Sequence, residues 1–537
     1  MSLTVPDFIL YNGTIRTQEQ TNEVVSAIAI YGNKIMALGN DESICGLARA
    51  KTQVIDLDKR AVLPGFTDSH IHFFEWALNL DSIDFADTTS LEEMGRTIEE
   101  KAAGLGADIW ILGQGFNESE YPENRIPDRW ELDRIAPHHP VCIWRCDLHL
   151  AVANSKALEL AGITGNSTEP ENHVVVRDET GEPTGVLKEL APELIRKAIP
   201  ELPEAQLLEN MKRATARAHG LGLTGIHDIR LMGGEEGARA LQTWQTLHFQ
   251  KALNLRCHVA LPGEKTEQAI AMGLQTGLGD DRLRIGHLKF FADGGMGART
   301  AWMTEKYLDA EFGMPLTPVA KIEATVRQAD RAGLSCMVHG IGDRTNRELI
   351  QMFSRIEQAG QSRCVIPHRI EHLQMVLPED LQCLSQLQNL VVSCQPNNLS
   401  LDISMIDQCA GSRGKYAYSL KSIWNTGRPM VLGSDAPVAD PNPLAGIYSA
   451  VTRKRMNRTP EQGWYPEQSL SPDEAIKGFT RLPAIASGLG DRLGSLANGK
   501  MADLVVLDKD PYTVDADELA DIQVDLTFFD GELVYER

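Results

Sequence analysis

Residues 61–72 read AVLPGFTDSHIH, and the way this stretch ends decides the fold. The run is apolar and strand-like up to a pair of histidines. Side chains alternate between the two faces of a strand, so His70 and His72, two residues apart, project from one side. Imidazole is the usual ligand of zinc and related metals, and two imidazoles converging from a strand end are a natural seed for such a site. A lone His-x-His arises often by chance. Its delivery at the end of the strand through Leu63-Pro64-Gly65-Phe66-Thr67-Asp68 is what gives it weight. Asp68 shares the parity of the two histidines and is expected to hold one imidazole from behind.

Working outward, seven more short apolar runs follow: TGIHDI (224–229), NLRCHVAL (254–261), LRIGHLKFFADG (283–294), SCMVHGIGD (335–343), HRIEHLQM (368–375), LVVSCQP (390–396) and PMVLGSDAPV (429–438). They alternate with longer helix-like stretches, the rhythm of parallel β/α units. Eight such units predict a (β/α)8 barrel of the TIM type, whose chemistry sits at the C-terminal ends of the strands. Lys289, His339, His372 and Asp435 fall at the ends of strands four, five, six and eight. Each has a plain structural reading: an ion-paired lysine, a core histidine, a turn aspartate. Their joint placement on one barrel rim favours a shared site.

The two ends of the chain read differently. FILYNGTI, AIAIYGNKIMALG and TQVIDLD near the start alternate as strands, as do GSLANGKMADLVVLDKDP and DLTFFDGELVYER at the end, with Asn-Gly, Gly-Asn and Asp-Gly turns between them. Neither set buries a face alone, which predicts one small β-sandwich built from residues 1–63 and 482–537. The barrel takes 64–75 and 213–481. Residues 76–212 break its repeat, with a helix around EEMGRTIEEKA, a strand VCIWR and a turn-rich stretch around ITGNSTEPENH, and read as an inserted α+β, cap-like subdomain.

The chain has 537 residues, 42% of them hydrophobic and 23% charged, the make-up of an ordinary soluble protein too long for one core. Its net charge of −22, from 52 basic and 74 acidic residues, argues against nucleic acid as a partner. No apolar run of about 18 residues would span a bilayer, and the start lacks a secretory pattern, so a cytoplasmic setting is expected. The nine cysteines are scattered without a C-x-x-C, which fits a reducing compartment and makes Cys142 and Cys146 buried thiols. The partner expected is a small-molecule substrate, with homo-oligomerisation left open.

PGFTDSHIH, the later single histidines and GSDAP resemble the amidohydrolase superfamily, and GKMADLVVLDKDP resembles its C-terminal β-sandwich. GQGFNES, NSKALELAGI, LKFFADGGMGARTAW, HGIGDR and RIEHLQ resemble the branch that contains N-substituted formamide deformylases. The resemblance covers essentially the whole chain. It implies that His70 and His72 bind one metal, His339 and His372 a second, and that Asp435 touches the first and shuttles protons. It also implies Zn2+, as one or two divalent ions, with Lys289 carboxylated by CO2 where two ions are bridged. An unmodified Lys289 beside a single metal at His70, His72 and Asp435 stands as the alternative. Coordination lowers the pKa of water from about 15.7 towards about 7, and the resulting hydroxide would attack an amide-type carbonyl. His149, which matches a histidine common in that branch, His227 at the end of strand two, and Arg299 after the glycine-rich GGMGART are candidate substrate contacts. GQGFNES is read as pocket-lining.

Two competing functions follow from the same residues. A mononuclear deaminase on this barrel would carry H-x-x-E on strand five, but His339 is followed by Gly340, Ile341, Gly342 and Asp343. A non-catalytic binding protein would have lost metal ligands, and none is missing.

Overall fold

The computed structural model describes residues 5–19, 21–169 and 173–537. Of the turn-rich stretch at 163–173, residues 170–172 lie outside the described residues, as do residues 1–4.

All eight expected barrel strands form: β1 Phe66–Ile71, β2 Leu223–Asp228, β3 Arg256–Pro262, β4 Leu283–Phe291, β5 Cys336–Gly340, β6 His368–His372, β7 Leu390–Cys394 and β8 Met430–Leu432. They lie in sequence order in one sheet, and each neighbouring pair is parallel. The sheet comes round on itself where the chain beyond β8 meets the end of β1. There the Asp435 N–H donates to the His70 carbonyl at 2.7 Å, and the His72 N–H to the Ala436 carbonyl at 2.8 Å. This closure needs glycine at 433, since a Cβ there would stand 2.5 Å from the His70 nitrogen. The helices that follow the strands, among them Val319–Ala332 after β4 and Asp343–Ala359 after β5, bury apolar stripes in one large cluster around the sheet.

The stretch 61–72, read as one strand, is two strands in different sheets. Ala61–Pro64 pairs antiparallel with Leu504–Leu507 near the C-terminus, and Phe66–Ile71 starts the barrel. The switch lies at Gly65, whose N–H reaches the Asp503 carbonyl, while the next N–H, of Phe66, reaches Gly222 beside β2. Successive backbone N–H groups point to opposite sides, so a single residue suffices to hand the chain from one sheet to the other.

Both ends of the chain share a six-stranded sheet, in the order Glu532–Glu536, Val524–Phe529, Leu504–Leu507, Ala61–Pro64, Thr14–Arg16 and Val24–Val25. Lys34–Gly39, Ala27–Tyr31, Phe8–Tyr11 and Gln53–Asp56 form a second, four-stranded sheet. Leu10, Ile28 and Ile30 of the second sheet meet Val62, Leu504 and Phe528 of the first in one buried apolar cluster. Between β1 and β2 the chain forms another six-stranded sheet, from Ile83–Asp84 to Pro183–Glu189, covered by helices such as Leu91–Ala103. It has buried clusters of its own, and its residues 147–149 and 189–196 reach the barrel mouth.

Candidate metal centre at the barrel mouth

His70, His72, Lys289, His339, His372 and Asp435 are all buried and meet at the C-terminal rim of the barrel. The His70 ring lies 5.6 Å from that of His72 and 4.8 Å from that of His372, and His372 lies 4.5 Å from His339. Ligand atoms of His70, His372 and Asp435 fall within 4.8 Å of one another.

The hydrogen bonds behind the rings set which nitrogen faces the centre. His70 Nδ1 lies 2.5 Å from Glu371 Oε2, and His72 Nδ1 donates to the Ile229 carbonyl at 3.2 Å. Both Nδ1 atoms therefore carry the proton, and both Nε2 lone pairs point inward. Each Nε2 stands 3.2 Å from Asp435 Oδ1. Two lone pairs and a carboxylate oxygen at that distance repel unless positive charge, a metal ion or a proton on an imidazole, lies among them. Among the described residues, His70 Nε2, His339 Nε2 and Lys289 Nζ are moreover buried without a hydrogen-bond partner. Imidazole nitrogens with a carboxylate are the donor set for zinc and related divalent ions, so the residues present fit a metal.

The charges around this centre are held by named partners. Burial alone would raise the Glu371 carboxyl, but Arg369 at 2.8 Å and His70 outweigh it and hold Glu371 well below the carboxylate range. Burial lowers Lys289 to about 8, with Glu371 and Asp435 resisting the fall. That leaves roughly a tenth of the amine neutral at pH 7. Asn398 Nδ2 donates to Asp435 Oδ2 at 3.1 Å and so fixes the carboxylate. Asp435 and His372 both carry positive φ, 65° and 69°, a conformation costly for residues other than glycine.

His149 comes in from the segment between β1 and β2. Its ring stands 5.5 Å from His339, and its Nδ1 is 2.9 Å from Glu189 Oε2. Burial would lower its pKa, but the Glu189 carboxylate overrides this and pushes it up to about 9. The glycine-rich loop after β4 makes room for this segment, since a Cβ on Gly297 would stand 2.2 Å from Asp147 Oδ2.

Other candidates sit elsewhere. Arg299 is turned away to Asp309, with Nη2 at 2.8 Å, and to the Met296 carbonyl at 2.9 Å, and it does not line the cavity. His227 lies inside the barrel, where Nδ1 accepts from Arg369 at 2.8 Å and Nε2 donates to Ser487 Oγ at 3.0 Å. It faces a separate cavity towards the N-terminal end of the barrel, lined also by Thr67, Thr224 and His258. Asp68 does not orient an imidazole. It accepts from the backbone of His70 and Ser434, both at 3.1 Å, and from the Ser434 hydroxyl at 2.5 Å, tying β1 to β8. Within 113–119, Asn117 and Glu118 brace Arg145 from behind instead of lining the pocket.

Glu371, Arg369, Asn398 and Glu189 were missed in the sequence. For the first two a signal existed: β6 is buried throughout, and buried opposite charges two residues apart on one strand face must be paired. A second ligand-like group, Asp330, Cys364 and His368, has a structural explanation. His368 Nδ1 accepts from the Cys336 N–H at 3.0 Å and Nε2 donates to Asp330 at 3.1 Å, so neither nitrogen has a lone pair to give. Cys142 and Cys146 are buried thiols raised by burial.

Known proteins resemble this chain over nearly its whole length. Residues 53–535 match the amidohydrolase family. The chain is 30% identical over 513 residues to Protein LONG AFTER FAR-RED 3 of Arabidopsis thaliana, covering 94% of this chain and 87% of that protein. It is 26% identical to the N-substituted formamide deformylase of Arthrobacter pascens, covering 99% and 98%. A crystal structure of an uncharacterized metal-dependent hydrolase from Pyrococcus horikoshii OT3 superposes with a TM-score of 0.75 at 27% identity, covering 95% of this chain and 99% of that one. With its family match running through barrel and terminal strands alike, the chain belongs to the amidohydrolase family.

Proposed function

We propose that the protein is a metal-dependent hydrolase that cleaves an amide-type C–N bond in a small N-formyl or N-acyl compound. The observation that carries this reading is the convergence of the His70 and His72 Nε2 lone pairs on Asp435 Oδ1, each at 3.2 Å, beneath an open cavity. His70, His72 and Asp435 would hold a first zinc ion, and His339, His372 and a carboxylated Lys289 a second. The bound metal supplies Lewis acidity, polarising the carbonyl and making water acidic.

The residues of the chain supply the rest. Asp435, fixed by Asn398 through one oxygen, takes a proton from the attacking water and returns it to the leaving nitrogen. His149, kept protonated by Glu189, is placed to donate a hydrogen bond to the substrate oxygen. The segment 76–212 acts as a cap over the mouth, and the two terminal sheets form a small β-sandwich beside the barrel made of 64–75 and 213–481. No helix among the described residues is long and apolar enough to cross a membrane. A cytoplasmic protein acting on small molecules, with neither nucleic acid nor membrane as partner, completes the reading.

The test is a panel of N-formyl, N-acyl and carbamate compounds, offered to the zinc-loaded protein with release of acid and of ammonia followed separately. Acid and amine released together support the proposal. Ammonia released from aminopurines or aminopyrimidines without amide cleavage would replace it with deamination, and inertness of the metal-loaded protein would favour a binding role.

A further inference from the structure

We propose that Asp402 forms a subsite for a cationic amine, so that the preferred substrates are N-acyl or N-formyl amines carrying a second, ammonium-bearing arm. This deepens the hydrolase reading above and rests on it. Asp402 lies on the helix Pro396–Ala410 and lines the same cavity as His149, His339, His372 and Asp435.

Its surroundings leave it incomplete. Oδ2 accepts from the Tyr418 hydroxyl at 2.6 Å and from Gln374 Nε2 at 2.9 Å, both neutral donors. Oδ1 has no hydrogen-bond partner, and Asp402 no ion pair, among the described residues. Arg145, the cation that acts on it through space, is already engaged by Glu118 at 2.9 Å and Asp147 at 2.8 Å. Asp402 is half-buried at the cavity wall, and a carboxylate partly drawn from water without a counter-charge is stabilised by a cation bound beside it. Burial accordingly pushes Asp402 up to about 6, against the pull of its two donors.

The helix also sets the spacing. Asn398, which touches Asp435, is four residues before Asp402, so the two side chains share one face a turn apart, roughly 6 Å. An ammonium about four to six bonds from the scissile carbonyl would span that interval. Met296, Leu401 and Met405 line the same cavity and suit an aliphatic arm.

The experiment compares N-(4-aminobutyl)formamide with N-pentylformamide, in which a methyl replaces the ammonium, on the zinc-loaded wild type, Asp402→Asn and Tyr418→Phe. The wild type should favour the cationic compound by roughly tenfold or more in kcat/KM, the equivalent of one well-placed ion pair. Asp402→Asn should remove the preference by raising KM for that compound alone, with kcat little changed. Tyr418→Phe, which keeps the carboxylate, should retain it. No preference in the wild type, or an equal loss on both compounds in Asp402→Asn, overturns the proposal.

Calorimetric binding of 1,4-diaminobutane against pentylamine separates this failure from that of the hydrolase reading. Tighter diamine binding to the wild type supports the subsite even where neither formamide is cleaved. Equal binding of the two overturns it whatever the hydrolysis shows, and this comparison does not depend on a variant folding.

Discussion

Glu371 Oε2 sits 2.5 Å from His70 Nδ1, inside the barrel and behind the ring that Asp435 faces. Arg369 keeps Glu371 ionised and also donates to the Ser69 carbonyl at 2.8 Å, so one guanidinium braces both the carboxylate and the strand that carries His70. The pair selects the His70 tautomer whose Nε2 is free to bind a cation. Replacing Glu371 with Leu should therefore weaken divalent-metal affinity by roughly 10- to 100-fold, and Glu371→Gln, which can still accept the hydrogen bond from Nδ1–H, by less. Competition against a chelator of known affinity reads this directly. Unchanged affinity in a folded Glu371→Leu protein would refute the role.

Asp435 is read as the group that moves the proton. Asp435→Asn keeps one oxygen for the metal but cannot take a proton, so kcat should fall by roughly 100-fold or more while the metal held by His70 and His72 stays bound. Near-normal turnover with metal still present would sink the assignment.

Much of the barrel was legible because strand and helix periods differ and the strands are short, apolar and bounded. His70, His72, Lys289, His339, His372 and Asp435 could be seen to converge because each ends a barrel strand, and strand ends meet on one rim. Arg299 and His227 could not be placed by that logic. A long side chain takes whichever carboxylate its loop brings near, and Asp309, ten residues on, captures Arg299. His227 ends its strand as His70 does, yet it turns into the barrel towards Arg369. Asp68 departs from its expected role for a related reason: parity places a side chain on a face but does not say that the backbone N–H of Ser434, just beyond β8, will be closer than an imidazole. The division of 61–72 between two sheets depends on Asp503, more than four hundred residues away.

Closure of the barrel supplies a stability prediction. Gly433→Ala puts a methyl 2.5 Å from the His70 nitrogen and 2.7 Å from Asp68 Oδ1, both packed too tightly to yield. It should cost about 2–3 kcal/mol and lower metal affinity too, because the backbone bond between Asp435 and His70 spans the same seam. A melting temperature and metal affinity equal to the wild type would contradict this account of the seam.

Glu193, on the cavity wall, is pushed up to about 7 by burial, against the pull of Arg196. Its folded pKa lies above the ordinary value, so the folded state binds more protons between about 4.5 and 7, and stability falls as pH rises through that window. Glu193→Gln should remove this component, on the order of 2 kcal/mol. Denaturant unfolding of both proteins at pH 5 and 7.5 measures it, and identical pH slopes would exclude it.

The most direct test of the whole reading is the rate of N-formyl amine hydrolysis by protein stripped of metal with a chelator, before and after zinc is restored. The geometry at His70, His72 and Asp435 predicts that stripping abolishes hydrolysis and that zinc brings it back. Hydrolysis that continues undiminished in the stripped protein would contradict it.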